Sequence, residues 1–312
     1  MTELPRRVLG NTGLEISVLG FGSLELRGIV AGVGRSIDET RAETILNQVL
    51  DSGINYIDTS VDYGDSEKRI GKFISARRSE FILATKCGCP PDISKFPPEE
   101  RTRYGVPLPG LHDYSRKNII DTLDQSLSRL NTDYIDVLQL HFSPSVELLK
   151  QECAIETLTH LKQEGKIRFI GCSSILPNIM DHINMGVFDV LQIPYSKLDP
   201  AHEGAIHLAA EAGIGTVIRG GVAKGLPNQQ HSSADAWELW DQANLEEFLN
   251  DMTRIEFLLR LTISNPHVHT AIIGTSNPEH LKANIAAAAA GPLSTEVYAE
   301  ISGRLLNISE SP

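Results

Sequence analysis

The chain has 312 residues, 41% of them hydrophobic and 22% charged, with a formal net charge of -12. That composition supports a sizeable core, and the acidic balance argues against a nucleic-acid surface or a basic membrane patch. No stretch approaches the length of a membrane span, the first residues lack a signal-peptide pattern, and four scattered cysteines make no secreted disulfide framework, so a cytoplasmic location is expected.

In chain order, "RRVLGNTGLEISVLGFG" comes first: alternating apolar residues flank "NTG", a hairpin signal. Strand-like and helix-like segments then alternate. The strand candidates are "SVLGFG" (17–22), "INYID" (54–58), "FILATK" (81–86), "YIDVLQLH" (134–141), "IRFIGCSS" (167–174), "FDVLQIPYS" (188–196), "GTVIRGG" (215–221) and "HTAIIGTS" (269–276). They are short, apolar and β-branched, as strands covered on both faces are. The intervening helical segments close on Gly53, Asn131, Gly165, Gly186 and Gly213, which are C-cap residue types.

Strand–helix alternation predicts parallel pairing with crossover helices. Eight such units in a chain of this length predict one α/β domain over 1–312, a (β/α)8 TIM barrel with an N-terminal β-hairpin. An open doubly wound sheet is the rival, and it would normally bring a dinucleotide fingerprint. "GFGSLE" (20–25) places Glu25 where the third glycine belongs, and "GVGRSI" (32–37) fails likewise.

Two connections are long: 87–114, rich in Pro and Gly, and 220–250. Both follow strand C-terminal ends, the face where barrel enzymes keep their sites, and long loops there read as lids. Phe96, Tyr104, Trp237 and Trp240 lie in them, placed either to wall an apolar pocket or to pack the loops down. "CGC" (87–89) has no second close pair, so no metal site is expected there, and "HVH" (267–269) reads as ordinary strand-end residues.

Three apolar strands end on a titratable group: Asp58, Lys86 and His141, with Tyr63 five residues beyond Asp58. In a parallel barrel all four reach one rim. A phenol with a pKa near 10 is a weak acid at neutral pH, and a neighbouring ammonium lowers that value. Asp58 keeps Lys86 charged, and His141 donates a hydrogen bond to a substrate oxygen or relays its proton. Such a unit faces an oxygen that gains negative charge, as a carbonyl does on hydride reduction. No side chain supplies hydride, so a nicotinamide is implied.

These residues, in "DTSVDYG", "ATK" and "LQLH", resemble the aldo-keto reductase family's Asp, Tyr, Lys and His pattern. The resemblance runs from "LGNTGLEISVLGFG" through "HDYSRKNIIDTLDQSLSRLNTDYIDVLQLH" to "AIIGTSNPEHLKANI". It implies a (β/α)8 barrel with NADP(H), Tyr63 as general acid, Lys86 and Asp58 tuning it, and His141 orienting the carbonyl. It further places Ser173, Ser174 and Gln192 at the nicotinamide carboxamide, Ser174 standing where the family often has Asn. Arg219 stands where an aromatic often stacks on the nicotinamide, and Gly220 and Lys224 lie near the pyrophosphate. Gly274 and His280 occupy positions where cations often hold the 2′-phosphate. Thr275, Ser276 and Asn277 remain as hydrogen-bond donors, and Asn284 matches the adenine-contacting Asn. The cofactor expected is NADP(H), with NAD(H) also admitted because those cations are missing.

Two other readings start from the same residues. A barrel lysine can form a Schiff base, which would make Lys86 the nucleophile of a lyase. Some aldo-keto reductase relatives are non-catalytic NADP(H)-binding channel subunits, a role the four residues do not exclude. The expected partner is a small carbonyl substrate; its identity and the oligomeric state are not legible in the sequence.

Overall fold

The computed structural model describes residues 3–30, 33–34, 36–90, 96–101, 108–223 and 234–309. The eight apolar runs become β1 (Leu19–Gly22), β2 (Tyr56–Asp58), β3 (Ile82–Cys87), β4 (Ile135–Leu140), β5 (Ile167–Ser173), β6 (Val190–Pro194), β7 (Gly215–Arg219) and β8 (Thr270–Ile273). Each pairs in parallel with its neighbours in sequence, and β8 pairs with β1, so the sheet closes. The expected (β/α)8 barrel is the observed one.

The crossovers form because each helix has a buried stripe and a stop. In α1 (Glu39–Asp51), Ala42, Ile45, Leu46, Val49 and Leu50 recur at helical spacing and are buried. Asp38 caps its start by accepting from the Arg41 amide at 2.7 Å. Gly53, Asn131, Gly165, Gly186 and Gly213 all take positive φ, as helix-stopping residues do. The segment between β4 and β5, which the sequence presents as one helical stretch, is two helices, α2 (Val146–Gln151) and α3 (Ala154–Gln163). Cys153 between them takes φ +50, and that left-handed residue breaks the helix.

The N-terminal hairpin pairs Arg6–Val8 with Glu15–Ser17 antiparallel. It plugs the barrel's N-terminal end. The Asn11 amide donates to the Gly213 carbonyl oxygen at 2.7 Å, and a Cβ on Gly10 would lie 2.4 Å from the Gly215 nitrogen. Leu9, Leu14 and Ile16 of the hairpin pack with Tyr56, Ala84, Val137, Val190, Val217 and Ile272 from the strands. Burying each large apolar side chain there is worth about 1.5–3 kcal/mol.

Side chains two residues apart on a strand share a face. Inward positions Tyr56, Ala84, Val137 and Val190 are therefore followed, one layer up, by Asp58, Lys86, Gln139 and Gln192. The barrel interior changes from apolar to polar within that single step.

The long 220–250 connection is partly helical. It carries α4 (Ala234–Gln242). Trp237 and Trp240 lie on α4 and are buried with Phe257, Leu258, Leu261, Ile301 and Leu305. Trp240 meets Phe257 edge to face at 5.5 Å, and its indole N–H donates to Glu246 at 3.0 Å. These tryptophans pack the connection onto the barrel. Tyr104 and Lys224 lie outside the described residues. Cys87, Cys89, Cys153 and Cys172 are free thiols. Among the described residues no helix is long and apolar enough to cross a membrane.

Candidate active site

Asp58 ends β2 and Lys86 lies near the end of β3, which pairs with it two residues earlier at Asp58–Ala84. That register sets the Lys86 ammonium 2.7 Å from Asp58 Oδ2, with a second bond of 2.7 Å to the Thr59 carbonyl oxygen. Both side chains are essentially fully buried. A buried ion pair survives only where its remaining valences are satisfied. Here Asp58 Oδ1 accepts from Gln139 Nε2 at 3.0 Å and from Gln192 Nε2 at 2.7 Å. Burial works against the ammonium, but Asp58, with Tyr63 and Asp62, pushes its pKa above the ordinary lysine value. Lys86 is therefore charged at neutral pH.

Tyr63 follows on the β2 loop, anchored through its amide to the Ser60 carbonyl oxygen at 3.0 Å. The Lys86 ammonium lies 4.8 Å from the centre of the phenol ring. Burial pushes the phenol up to about 12; Lys86 opposes this by charge and by a hydrogen bond, while Asp58 and Asp62 add to the rise. The ammonium lowers the phenol's pKa as expected, but desolvation outweighs it, so the net shift is upward.

His141 follows β4 directly and is 6% exposed. Its ring centre lies 6.3 Å from that of Tyr63, at 73°. Nδ1 faces Cys89 Sγ at 3.0 Å and Asp62 Oδ2 at 3.5 Å. Burial lowers its pKa below the ordinary histidine value, against the pull of Asp62. The ring is thus neutral at pH 7. Tyr114 fixes the backbone beneath it by donating its hydroxyl to the His141 carbonyl oxygen. Gly88 is required there: it takes φ +85, and a Cβ would meet the Tyr114 ring at 2.4 Å.

The four sequence-predicted groups therefore converge on one rim. Asp62, Gln139 and Tyr114, which the sequence does not single out, complete the cluster together with Cys89, which it presents only as part of "CGC". Gln139 carried a usable signal, since it stands two residues before His141 on the same inward face.

The residues expected to hold a cofactor ring the same mouth, at the ends of β5 to β8. Ser173 Oγ donates to Gln192 Oε1 at 3.4 Å, so Gln192 bridges Ser173 and Asp58. Ser174 is fully buried, and its hydroxyl is engaged by His182 Nδ1 at 2.6 Å and Ser143 at 3.3 Å. Arg219 ends β7. Gly220 takes φ +79, and nothing lies within 4 Å of the place a Cβ would fill. A Cβ on Gly274 would strike the Gly22 carbonyl oxygen at 2.5 Å, so glycine there serves strand packing. Helix α5 (Pro278–Ala289) starts just beyond. Asn277 caps it by accepting from the Glu279 amide at 3.0 Å, and Thr275 Oγ accepts from the Asn277 amide at 3.0 Å. Ser276 is half-buried, His280 is exposed and Asn284 is buried. A helix N-terminus beside open glycine backbone suits phosphate oxygens. The residues present thus fit a dinucleotide lying from β5 across to α5.

The model of the Aldo/keto reductase family matches residues 18–304. The chain is 32% identical over 309 residues to the uncharacterized oxidoreductase YqkF of Bacillus subtilis, covering 93% of each chain. It is 29% identical over 307 residues to L-galactose dehydrogenase of Arabidopsis thaliana, covering 92% of this chain and 89% of that one. The holo form of aldo-keto reductase AKR11C1 from Bacillus halodurans superposes with a TM-score of 0.80 at 33% identity, covering 97% and 96% of the two chains. The chain belongs to the Aldo/keto reductase family and is an oxidoreductase of the NAD(P)H-dependent kind.

Proposed function

We propose that this enzyme reduces an aldehyde or ketone to an alcohol, reversibly, with Tyr63 as proton donor and NADP(H) as cofactor. The observation that carries the reading is the buried Asp58–Lys86 pair held 2.7 Å apart beside the Tyr63 ring. Ser173, Gln192, Arg219, Gly220, Thr275, Ser276, Asn277, His280 and Asn284 would hold the cofactor. Gly274 lets the strand ends approach closely. Ser174 would take part only by giving up its bonds to His182 and Ser143. NAD(H) is also admitted, since His280 is the one ionisable side chain among 274–277, 280 and 284.

The bound nicotinamide supplies the hydride. The protein's part is to place the carbonyl oxygen between Tyr63 and His141 and to neutralise its growing charge. An alcohol is about as weak an acid as water, roughly 15.7. A phenol near 12 therefore delivers its proton downhill to the nascent alkoxide. The phenolate left behind is stabilised by the Lys86 ammonium, which Asp58 keeps in place. His141 donates through whichever ring nitrogen bears the hydrogen, and with Nδ1 accepting from the Cys89 thiol that nitrogen is Nε2. Schiff-base chemistry is disfavoured because a nucleophilic lysine must be neutral, and Asp58 holds Lys86 charged.

The test is NADPH and NADH oxidation with a panel of aldehydes, run with Tyr63→Phe beside the wild type. A general acid contributes about 10²–10⁴-fold, so the variant should lose at least about a hundredfold in kcat and keep its cofactor affinity. Equal inertness of both proteins would move the assignment to a binding role.

A further inference from the structure

Asp62, Cys89, His112 and His141 bring a carboxylate, a thiol and two imidazoles together at one point. Their candidate ligand atoms all lie within 4.8 Å of one another. Cys89 Sγ is 3.0 Å from His141 Nδ1, and Asp62 Oδ2 is 3.5 Å from the same nitrogen. The His112 and His141 ring centres are 5.6 Å apart at 88°. Asp62, Cys89 and His141 are buried and His112 is half-buried.

Two features suit this cluster to a metal. Asp62 is 3% exposed, yet its Oδ2 makes no short hydrogen bond, having only the 3.5 Å contact with His141 Nδ1, while its other oxygen accepts from Ser60. A buried carboxylate oxygen satisfied only by so long a contact has room for a cation. His112 donates Nδ1–H to the Leu108 carbonyl oxygen at 3.1 Å. That bond puts the ring hydrogen on Nδ1, as a carbonyl partner does for many metal-binding histidines.

We infer that Asp62, Cys89, His112 and His141 form a site for a single zinc ion beside the catalytic mouth. One sulfur, two nitrogens and one oxygen make a tetrahedral set for a borderline-soft ion. Bonds of about 2.3 Å to sulfur and about 2.0–2.1 Å to nitrogen place tetrahedral ligand atoms roughly 3.3–3.6 Å apart. Closing the present cluster to that spacing takes about 1 Å of movement, and His112, the half-buried member, is the one with room to supply it. The sequence hides this site because "CGC" lacks a second cysteine pair, while the fold brings the other ligands from β2, β4 and the connection before Tyr114. Zinc on His141 Nδ1 leaves the hydrogen on Nε2, so the site also sets that ring's tautomer.

The test uses the full chain, reduced and stripped with a chelator, and does not depend on reductase turnover. Zinc is added and the protein is desalted and assayed for metal; cadmium is added separately to read the thiolate-to-metal absorption band. The expected result is one zinc retained per chain and a cadmium band. Cys89→Ser should remove that band, and both it and His112→Ala should weaken zinc affinity by about tenfold to a hundredfold. Cys153→Ser, at the exposed thiol, should leave both signals intact. Should Cys89→Ser fail to fold, His112→Ala carries the affinity test alone. No retained zinc, wild-type affinity in the folded variants, or a band lost with Cys153 would each overturn the inference and leave the cluster as a plain hydrogen-bonded network.

Discussion

The two inward layers of the barrel are about 7 Å apart along the same strands, and they do opposite things. The lower one, Tyr56, Ala84, Val137 and Val190, is sealed by Leu9, Leu14 and Ile16 of the hairpin. It holds the fold and offers no charge. The upper one, Asp58, Lys86, Gln139 and Gln192, is nearly as buried and almost wholly polar. Its charges cost desolvation energy that only mutual hydrogen bonds offset. The contrast teaches that this chain concentrates its unfavourable burial at one end, where an ammonium must stand beside a phenol.

Substitutions in the two layers should therefore separate stability from chemistry. The largest effect is expected for Lys86→Met, which leaves the Asp58 carboxylate buried without its counter-charge. Breaking such a pair costs about 3–5 kcal/mol, read by urea unfolding, and turnover should collapse because Tyr63 loses its only close ammonium among the described residues. Leu9→Ala, under the lower layer, should cost about 2–5 kcal/mol through the cavity it leaves. Its kcat at a temperature where it is folded should match the wild type. A large kcat defect there would mean that the two ends are coupled.

The smallest effect is expected for Tyr56→Phe. The Tyr56 hydroxyl is buried with no hydrogen-bond partner, below Asp58. Removing an unsatisfied polar atom should raise stability by about 1 kcal/mol, seen as a higher urea midpoint with an unchanged slope. A loss of stability would show that the hydroxyl is satisfied in solution and that the polar layer extends one step lower.

The barrel was legible because its cues are local. Apolar β-branched runs alternate with amphipathic stretches that stop on Gly or Asn, and each cue survives without tertiary information. Asp58, Lys86 and His141 were legible for a related reason: a titratable residue closing an apolar run is conspicuous. Asp62 was not, because one carboxylate in a loop already holding Asp58 and Asp65 has no distinguishing pattern. Cys89 and His112 needed the fold, since what joins them is the turn at Gly88 and the seating of Tyr114. The break at Cys153 was hidden because φ +50 at a non-glycine residue is a tertiary outcome. The tryptophans of α4 read equally well as pocket wall or core until their packing on Phe257 was seen. The net direction of the Tyr63 shift is not legible because the ammonium is visible in a sequence and the depth of burial is not.

The measurement that bears most directly on Tyr63 as a neutral proton donor is the pH dependence of both directions of the reaction. With its phenol held near 12, the protonated form needed for carbonyl reduction is complete at neutral pH and is lost only as pH rises through that value. The phenolate needed for alcohol oxidation is scarce and increases tenfold per pH unit below it. Reduction should accordingly hold a flat kcat from about pH 6 to about pH 9, while oxidation climbs across the same range, and Tyr63→Phe should abolish both profiles. A reduction rate already falling tenfold per unit near neutrality, or a Tyr63→Phe variant that keeps the wild-type profiles, would contradict the account.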